Sequence, residues 1–533
     1  MRNFTIALSS LLVTFSQAQQ VDWLTSAPVA YTSNPSLPDQ VLASVPGYLV
    51  GMRQTTGVFI YGQTVYGGAV LERIDPANGA QLWSCFLSDS INVGSAAVSQ
   101  DGIAYFAGRF MGMLGLCDGS ILSAVPGQSQ WNENLFLIAV DLNNGLFLWS
   151  RNLSLVHDQA TSVASMAIDP QGQLWYGVSE WGVGKVVRLD DQGNDVETRI
   201  IDGVRVMGTI DFDPWGGLYV SGSADNSGFA FGGQAYQNYG TTGYSMFVLR
   251  YRPDGTAGFA QFADDITFQN PTVVATTDGR AYLAGDLLDS TSWGGIHFNG
   301  PDWVSAVFLT ELDSTGQLLW GVESDPSGGT LTGDIFRAKG PCIDVDGSNN
   351  VYLMGTLRGI IDWGSGVVSN GLTIGAQTMT IVAFAQSGTP QWAATSQPTG
   401  FFSEARTLAV TAEPNTVHFA GHLNTGFTFL QQSTNTGGAQ AAMVGRLDGL
   451  STEVKDVATE QGFAFWPSPA ADVLYVEVEG TETRPVTLLN SGGQVVRSVM
   501  LSTGRNTLDV SSLSSGLYLI RMADGRSLRV VKE

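Results

Sequence analysis

Two short patterns of apolar and polar positions alternate along residues 41–457. In the first, an Asp- and Gly-rich turn leads into a short apolar strand that carries an aromatic residue and usually ends in Gly. Its copies are SQDGIAYFAG (99–108), DPQGQLWYG (169–177), DPWGGLYVSG (213–222), TDGRAYLAG (277–285), DGSNNVYLMG (346–355) and EPNTVHFAG (413–421), with PGYLVG (46–51) as a weaker first copy. The equivalent ring positions are Tyr48, Tyr105, Trp175, Tyr219, Tyr282, Tyr352 and His418. In the second pattern an apolar strand runs into an Asp-x-x-Gly turn and then, often, Trp. Examples are VLERIDPANGAQLW (70–83), FLIAVDLNNGLFLW (136–149) and VFLTELDSTGQLLW (307–320), and Trp83, Trp149, Trp320 and Trp392 mark four of the units. Asp closes such turns by bonding to its own backbone, Gly tolerates positive φ, and β-branched and aromatic residues favour the flanking strands.

The two patterns recur together with a mean period of about 62 residues, so each unit holds two hairpins, or four short strands. One such unit cannot bury both of its faces, whereas units stacked around an axis can. The expected body is therefore an all-β, seven-bladed β-propeller. A linear β-solenoid has much shorter coils. Tyr66-Gly67-Gly68, Phe231-Gly232-Gly233, Trp293-Gly294-Gly295 and Trp363-Gly364 fall between the two hairpins of their units. Their recurrence predicts a blade strand or an inter-hairpin turn. After residue 450 the repeat stops, and STEVKDVATEQG (451–462) reads as a polar linker. The last 70 or so residues alternate again: Val473, Tyr475 and Glu477 oppose Leu474, Val476 and Val478. They predict a small antiparallel β-sandwich of immunoglobulin-like type.

Composition narrows the function. Charged residues are 14% of the chain and hydrophobic residues 44%, which provides a large core, and 65 glycines fit many tight turns. The net charge is −23, against the clustered cations that nucleic acid or an anionic membrane requires. Four His and three Cys offer little for a multi-histidine metal site or a disulfide scaffold. Residues 1–18 carry Arg2, an apolar run from Phe4 to Phe15, and Ser16 and Ala18 before Gln19. They read as a secretory signal peptide, and no other run is long enough to span a bilayer as a helix. Cys85, Cys117 and Cys342 fit either three buried thiols or one bridge and one thiol.

The alternating hairpins with their aromatic-Gly-Gly elements resemble the bacterial seven-bladed propeller repeats known as SBBP repeats, most cleanly over 244–357. ERIDPANGAQLW (72–83) is also similar to the tryptophan-docking motif of quinone-dependent propellers, but the adjacent cysteines those enzymes often carry have no counterpart here. The C-terminal segment resembles the type A sorting domain of the type IX secretion system. Trp466-Pro467-Ser468-Pro469 stands where that family has its tyrosine-proline-asparagine-proline run, followed by Asp472 and Leu474. Leu513, Ser515, Gly516, Leu517 and Tyr518 match its later motif, and the basic, apolar ending includes Lys532. The resemblance implies export through the periplasm and the outer-membrane translocon, removal of the tail by a sortase-like peptidase, and a source among the Bacteroidota. The expected organisation is a signal peptide (1–18), a propeller (19–455), a linker (456–462) and a sorting domain (463–533).

Candidate chemistry is sparse. His418 and His422 are four apart, about 13 Å on a strand and too far for one zinc ion. His157-Asp158 reads as a solvated loop, and Asp344 to Asn350 as a plain turn that lacks the final bidentate Glu of a calcium loop. No cofactor and no metal are expected. Two readings remain. One is a non-catalytic module binding an extracellular polysaccharide or protein, with Trp181, Trp215, Tyr236 and Trp303 as candidate stacking aromatics. The other is a hydrolase or lyase acting on extracellular polymer. Carboxylates with shifted pKa values converging at the channel mouth would favour the enzyme.

Overall fold

The computed structural model describes residues 19–28, 30–32, 40–60, 63–126, 133–224, 228–236, 245–264, 271–287, 290–300, 305–324, 333–338, 340–371, 377–398, 403–410, 416–430, 432–449, 463–466, 470–478, 484–490, 495–522 and 527–532. The chain divides into two compact units, Met1–Leu450 and Ser451–Glu533. The expected signal peptide and the linker lie outside the described residues.

Hydrogen-bond pairing joins the strands of the first unit into sheets of up to ten strands. Within them, successive runs of four antiparallel strands follow the chain, and seven can be traced among the described residues. The third is typical: Val163–Ile168, Leu174–Glu180, Val183–Leu189 and Asp195–Asp202 pair in chain order. Its hairpins show why the sequence folds this way. The Asp169 carboxylate accepts the backbone N–H of Gln171 and of Gln173, and Gly172 closes the turn at φ +83°. The first two sheets share one long strand, Gln81–Val98, whose first half is the outer strand of one and whose second half is the inner strand of the next.

Inner strands pack in sequence around an axis. Gln40–Val45 lies on the second half of Gln81–Val98, and Val163–Ile168, Val204–Phe212, Thr272–Ala275, Ile343–Val345 and Ser403–Val410 follow. Ser403–Val410 then packs back on Gln40–Val45, which closes the ring. The fold is thus a β-propeller. Closure uses the start of the chain: Gln19–Pro28 pairs antiparallel with Gln432–Gly449 and becomes the outer strand of the seventh sheet.

One contact repeats between sheets. On four outer strands a ring lies over the turn glycine of the next sheet: Trp83 over Gly145, Trp149 over Gly193, Phe259 over Gly316 and Trp320 over Gly388. The indole N–H of Trp149 donates to the Asp191 carbonyl at 3.1 Å, and that of Trp320 to the Gln386 carbonyl at 2.9 Å. At Gly388, φ is +80° and an added Cβ would stand 2.6 Å from the Trp320 ring, so only Gly fits. Trp23, on the closing strand, makes the same contact with Gly79 and donates to the Pro76 carbonyl at 3.0 Å. The fully buried Tyr219 and Tyr282 also reach forward, donating to the carbonyls of Gly279 and Asn349 at 2.7 and 2.8 Å.

The aromatic-Gly-Gly elements are small hairpins between the second and third strands. Phe229–Phe231 pairs with Gln234–Tyr236 and Thr291–Trp293 with Ile296–Phe298. Phe231, Trp293 and Trp363 are buried. Cys85 and Cys117 form a disulfide between the outer strand of the first sheet and a turn of the second, and Cys342 is a buried free thiol.

In the second unit, Phe463–Trp466, Val473–Val478 and Gly504–Asp509 form one sheet. Val495–Leu501, Arg484–Asn490, Gly516–Met522 and Ser527–Lys532 form the other. Leu474, Val476 and Leu508 from the first pack with Val486, Leu488, Ile520 and Val530 from the second. This is the expected sandwich.

Candidate functional site: the two mouths of the ring axis

Each inner strand enters at one face of the ring and ends at the other in a turn. The entry mouth is a cavity of about 190 Å³ lined by the beginnings of the inner strands. Its polar side chains are Asn92, Ser95, Arg109, Ser162, Thr209 and Arg337, with a further hydroxyl from Thr272. Arg337 Nε donates to Asp286 Oδ2 at 3.0 Å and its Nη1 to the Ala338 carbonyl at 3.2 Å. Burial pushes the Asp286 carboxyl up, and the Arg337 guanidinium opposes that shift. Arg109 Nη1 pairs with Glu133 Oε2 at 2.9 Å.

The exit mouth is a shallower cavity of about 290 Å³, lined by the ends of the same strands. Two carboxylates face it, Asp211 and Asp344. Asp211 Oδ1 accepts the N–H of Phe212 at 2.9 Å and Oδ2 that of Ala275 at 2.8 Å. Burial raises its pKa to about 6 despite these bonds, with the nearby Asp213 adding to the shift. Asp344 Oδ1 accepts the N–H of Val345 at 2.8 Å in the same way. Thus the guanidinium groups lie at one mouth and the carboxylates at the other.

Of the four predicted stacking aromatics, the three among the described residues do not form one platform. Trp181 is 88% exposed, in the turn between Leu174–Glu180 and Val183–Leu189 on the entry face. Trp215 is 60% exposed but sits in a turn on the exit face, over Gly279. Tyr236 is half-buried on the entry side, stacked with Phe262, tilted against Phe229, and donates to the Ala260 carbonyl at 3.2 Å. Burial raises its pKa. Trp303 lies outside the described residues.

Sequence reasoning missed Arg109 and Arg337, since no spacing announces them. It also treated His157 as solvated. His157 is instead buried: Nδ1 lies 2.9 Å from Glu180 Oε1 and Nε2 2.8 Å from Tyr176 Oη, while Lys185 Nζ pairs with Glu180 Oε2 at 2.6 Å. The cause is the short 3-10 turn Leu153–Leu155, capped by Asn152, which turns the chain back over the third sheet. Asp346 spends its carboxylate on the N–H groups of Ser348 and Asn350, the Asn350 amide and the Tyr352 hydroxyl. His418 and His422 are both buried on Thr416–Phe429. Among the described residues no three His, Cys, Asp or Glu side chains group as metal ligands.

In the sandwich, Leu474 and Tyr518 are buried, and the Tyr518 hydroxyl donates to the Ser514 carbonyl at 2.9 Å. The Asp472 carbonyl accepts the Val510 N–H at 2.8 Å, and the Leu513 N–H donates to the Val510 carbonyl at 3.0 Å. Leu513 is half-buried, Ser515 and Gly516 are exposed, Leu517 lies on Gly516–Met522, and Lys532 is buried. Pro467 and Pro469 lie outside the described residues.

Residues 464–533 match the secretion system C-terminal sorting domain. No curated protein matches the chain in sequence. Similar solved structures include a prolyl endopeptidase, 11% identical over 84% of this chain and 55% of that one, with a TM-score of 0.38. Others are the Dos1 propeller, 9% identical over 80% and 95%, TM-score 0.39, and Hsv2 of Kluyveromyces lactis, 10% identical over 68% and 98%, TM-score 0.33. The chain spans about half the length of that endopeptidase. These likenesses are too distant to carry function. Fold and tail together define an all-β propeller protein with a C-terminal sorting domain. It is a cargo of the type IX secretion system, secreted or displayed at the cell surface. No helix among the described residues is long and apolar enough to cross a membrane.

Proposed function

We propose that the mature protein is an extracellular binding module for a polysaccharide or protein, engaged on the entry face of the ring. The observation that carries this reading is the pairing on one face of a polar axial cavity with a bare indole, Trp181. Hydrogen-bonding groups in a recess, with an exposed aromatic ring on the same face, are a usual means of holding a polyol. In this reading residues 1–18 are removed on entry to the periplasm. Residues 19–455 are the passenger, the cleavage zone for a sortase-like peptidase lies within 451–464, and the translocon reads 463–533.

The acidic exit mouth favours a second reading, polymer cleavage, because Asp211 titrates near the range of a general acid. Both its oxygens accept backbone N–H groups, however, as a structural aspartate does at a strand end. A glycan array probed with the secreted protein, with turnover assays on the same polymers, separates the readings. Binding without turnover is expected. Turnover abolished by Asp211→Asn would contradict the binding reading.

A further inference from the structure

The entry mouth has a charge character unlike the rest of the molecule. The chain carries 25 Lys and Arg against 48 Asp and Glu, yet the described lining of this cavity contains two guanidinium groups and no carboxylate. Their acidic partners belong to other strands: Asp286 to Ala281–Leu287 and Glu133 to Glu133–Asp141. Asp286 holds Arg337 through Nε, and Nη2 has no partner among the described residues. Nη2 is therefore left to donate to a ligand, and a guanidinium N–H favours an anionic oxygen such as a carboxylate's.

Size and lining narrow the class further. An apolar cavity of about 150 Å³ takes a benzene ring, so about 190 Å³ takes a single six-membered ring with substituents. The other polar groups are an amide, Asn92, and the hydroxyls of Ser95, Ser162 and Thr209, which suit ring hydroxyls. A net charge of −23 repels the body of a polyanion, whereas a chain end reaching the recess meets, among its described lining residues, two guanidinium groups whose paired carboxylates lie outside that lining.

Resting on the binding reading above, we propose that the entry mouth is a subsite for the terminal uronic acid of an acidic polysaccharide. Arg337 binds its carboxylate, Arg109 supplies the second positive charge, and the amide and hydroxyls bind the ring. Because Arg337 also neutralises Asp286, Arg337→Lys, which keeps the charge and loses the fork, is the chosen variant. Ser162→Trp, at the half-buried rim, plugs the recess without removing a charge.

Calorimetry on the full chain with an oligouronate, a neutral oligosaccharide of the same ring size and a peptide with a free C-terminus tests this. The account expects one oligouronate per chain, bound at least about tenfold more tightly than either alternative. It also expects loss on Ser162→Trp, weakening on Arg337→Lys and a decline with added salt. Equal affinity for the neutral sugar, preference for the peptide, or binding that survives Ser162→Trp overturns the proposal. Neutral polymers bound on the array with no oligouronate bound sinks this inference and leaves the binding reading standing. No ligand on the array at all sinks that reading too.

Discussion

His418 occupies a position that six other units give to Tyr or Trp, and burial sets its chemistry. It is fully buried against Trp23, with ring centroids 5.9 Å apart. Burial lowers its pKa to about 4, only partly offset by its bond to the Pro76 carbonyl. The folded value lies below the ordinary one near 6.5, so below pH 6.5 the unfolded chain takes up the proton first. Stability present above pH 6.5 is then lost as the pH falls toward 4, by about 3 kcal/mol at most. His418→Phe is expected to flatten that acid limb in urea melts at pH 7, 5.5 and 4.5. Asp211 has the opposite sign. Its folded pKa, about 6, lies above its ordinary value of 3.8. The stability it contributes is complete below pH 3.8 and lost as the pH rises through 6. Asp211→Asn should remove that decline, seen as a higher urea midpoint relative to wild type at pH 7.5 than at pH 4.

Strands and turns are where the sequence was most legible. Asp-x-x-Gly fixed the turns by local hydrogen bonds, and the aromatic positions fixed which residues face the neighbouring sheet. The closing strand was not legible. Trp23 stands in the outer-strand position, but the Asp-x-x-Gly turn that precedes Trp83 and Trp320 is absent before it, because its hydrogen-bond partner lies over 400 residues away. His157 was misread for a related reason, since its partners Glu180 and Tyr176 come from the next unit. Trp23→Ala removes a buried ring and its bond to Pro76, and should cost about 3 kcal/mol, measured by urea unfolding. The disulfide spans 32 residues, and Cys85→Ser with Cys117→Ser should cost about 3 kcal/mol in the same assay, with reductant bringing wild type close to the variant.

At the scale of the molecule, the ring converts scattered residues into a polarised axis. Asn92 and Arg109 are paired neighbours in the second sheet, whereas Ser162, Thr209 and Arg337 come from elsewhere around the ring, and no sequence window holds them together. The acidic mouth is equally distributed, with Asp211 and Asp344 on the fourth and sixth inner strands. The sorting tail, by contrast, is a contiguous motif recognised by a dedicated machinery, which is why the route was readable and the ligand was not. All of this depends on Gln19–Pro28 closing the ring against Gln432–Gly449. Hydrogen exchange followed by mass spectrometry on the mature chain tests that directly. Amides of 19–28 should be protected as strongly as those of 441–449 and should open together with them. Rapid exchange of 19–28 beside a protected 441–449 would contradict the closed ring.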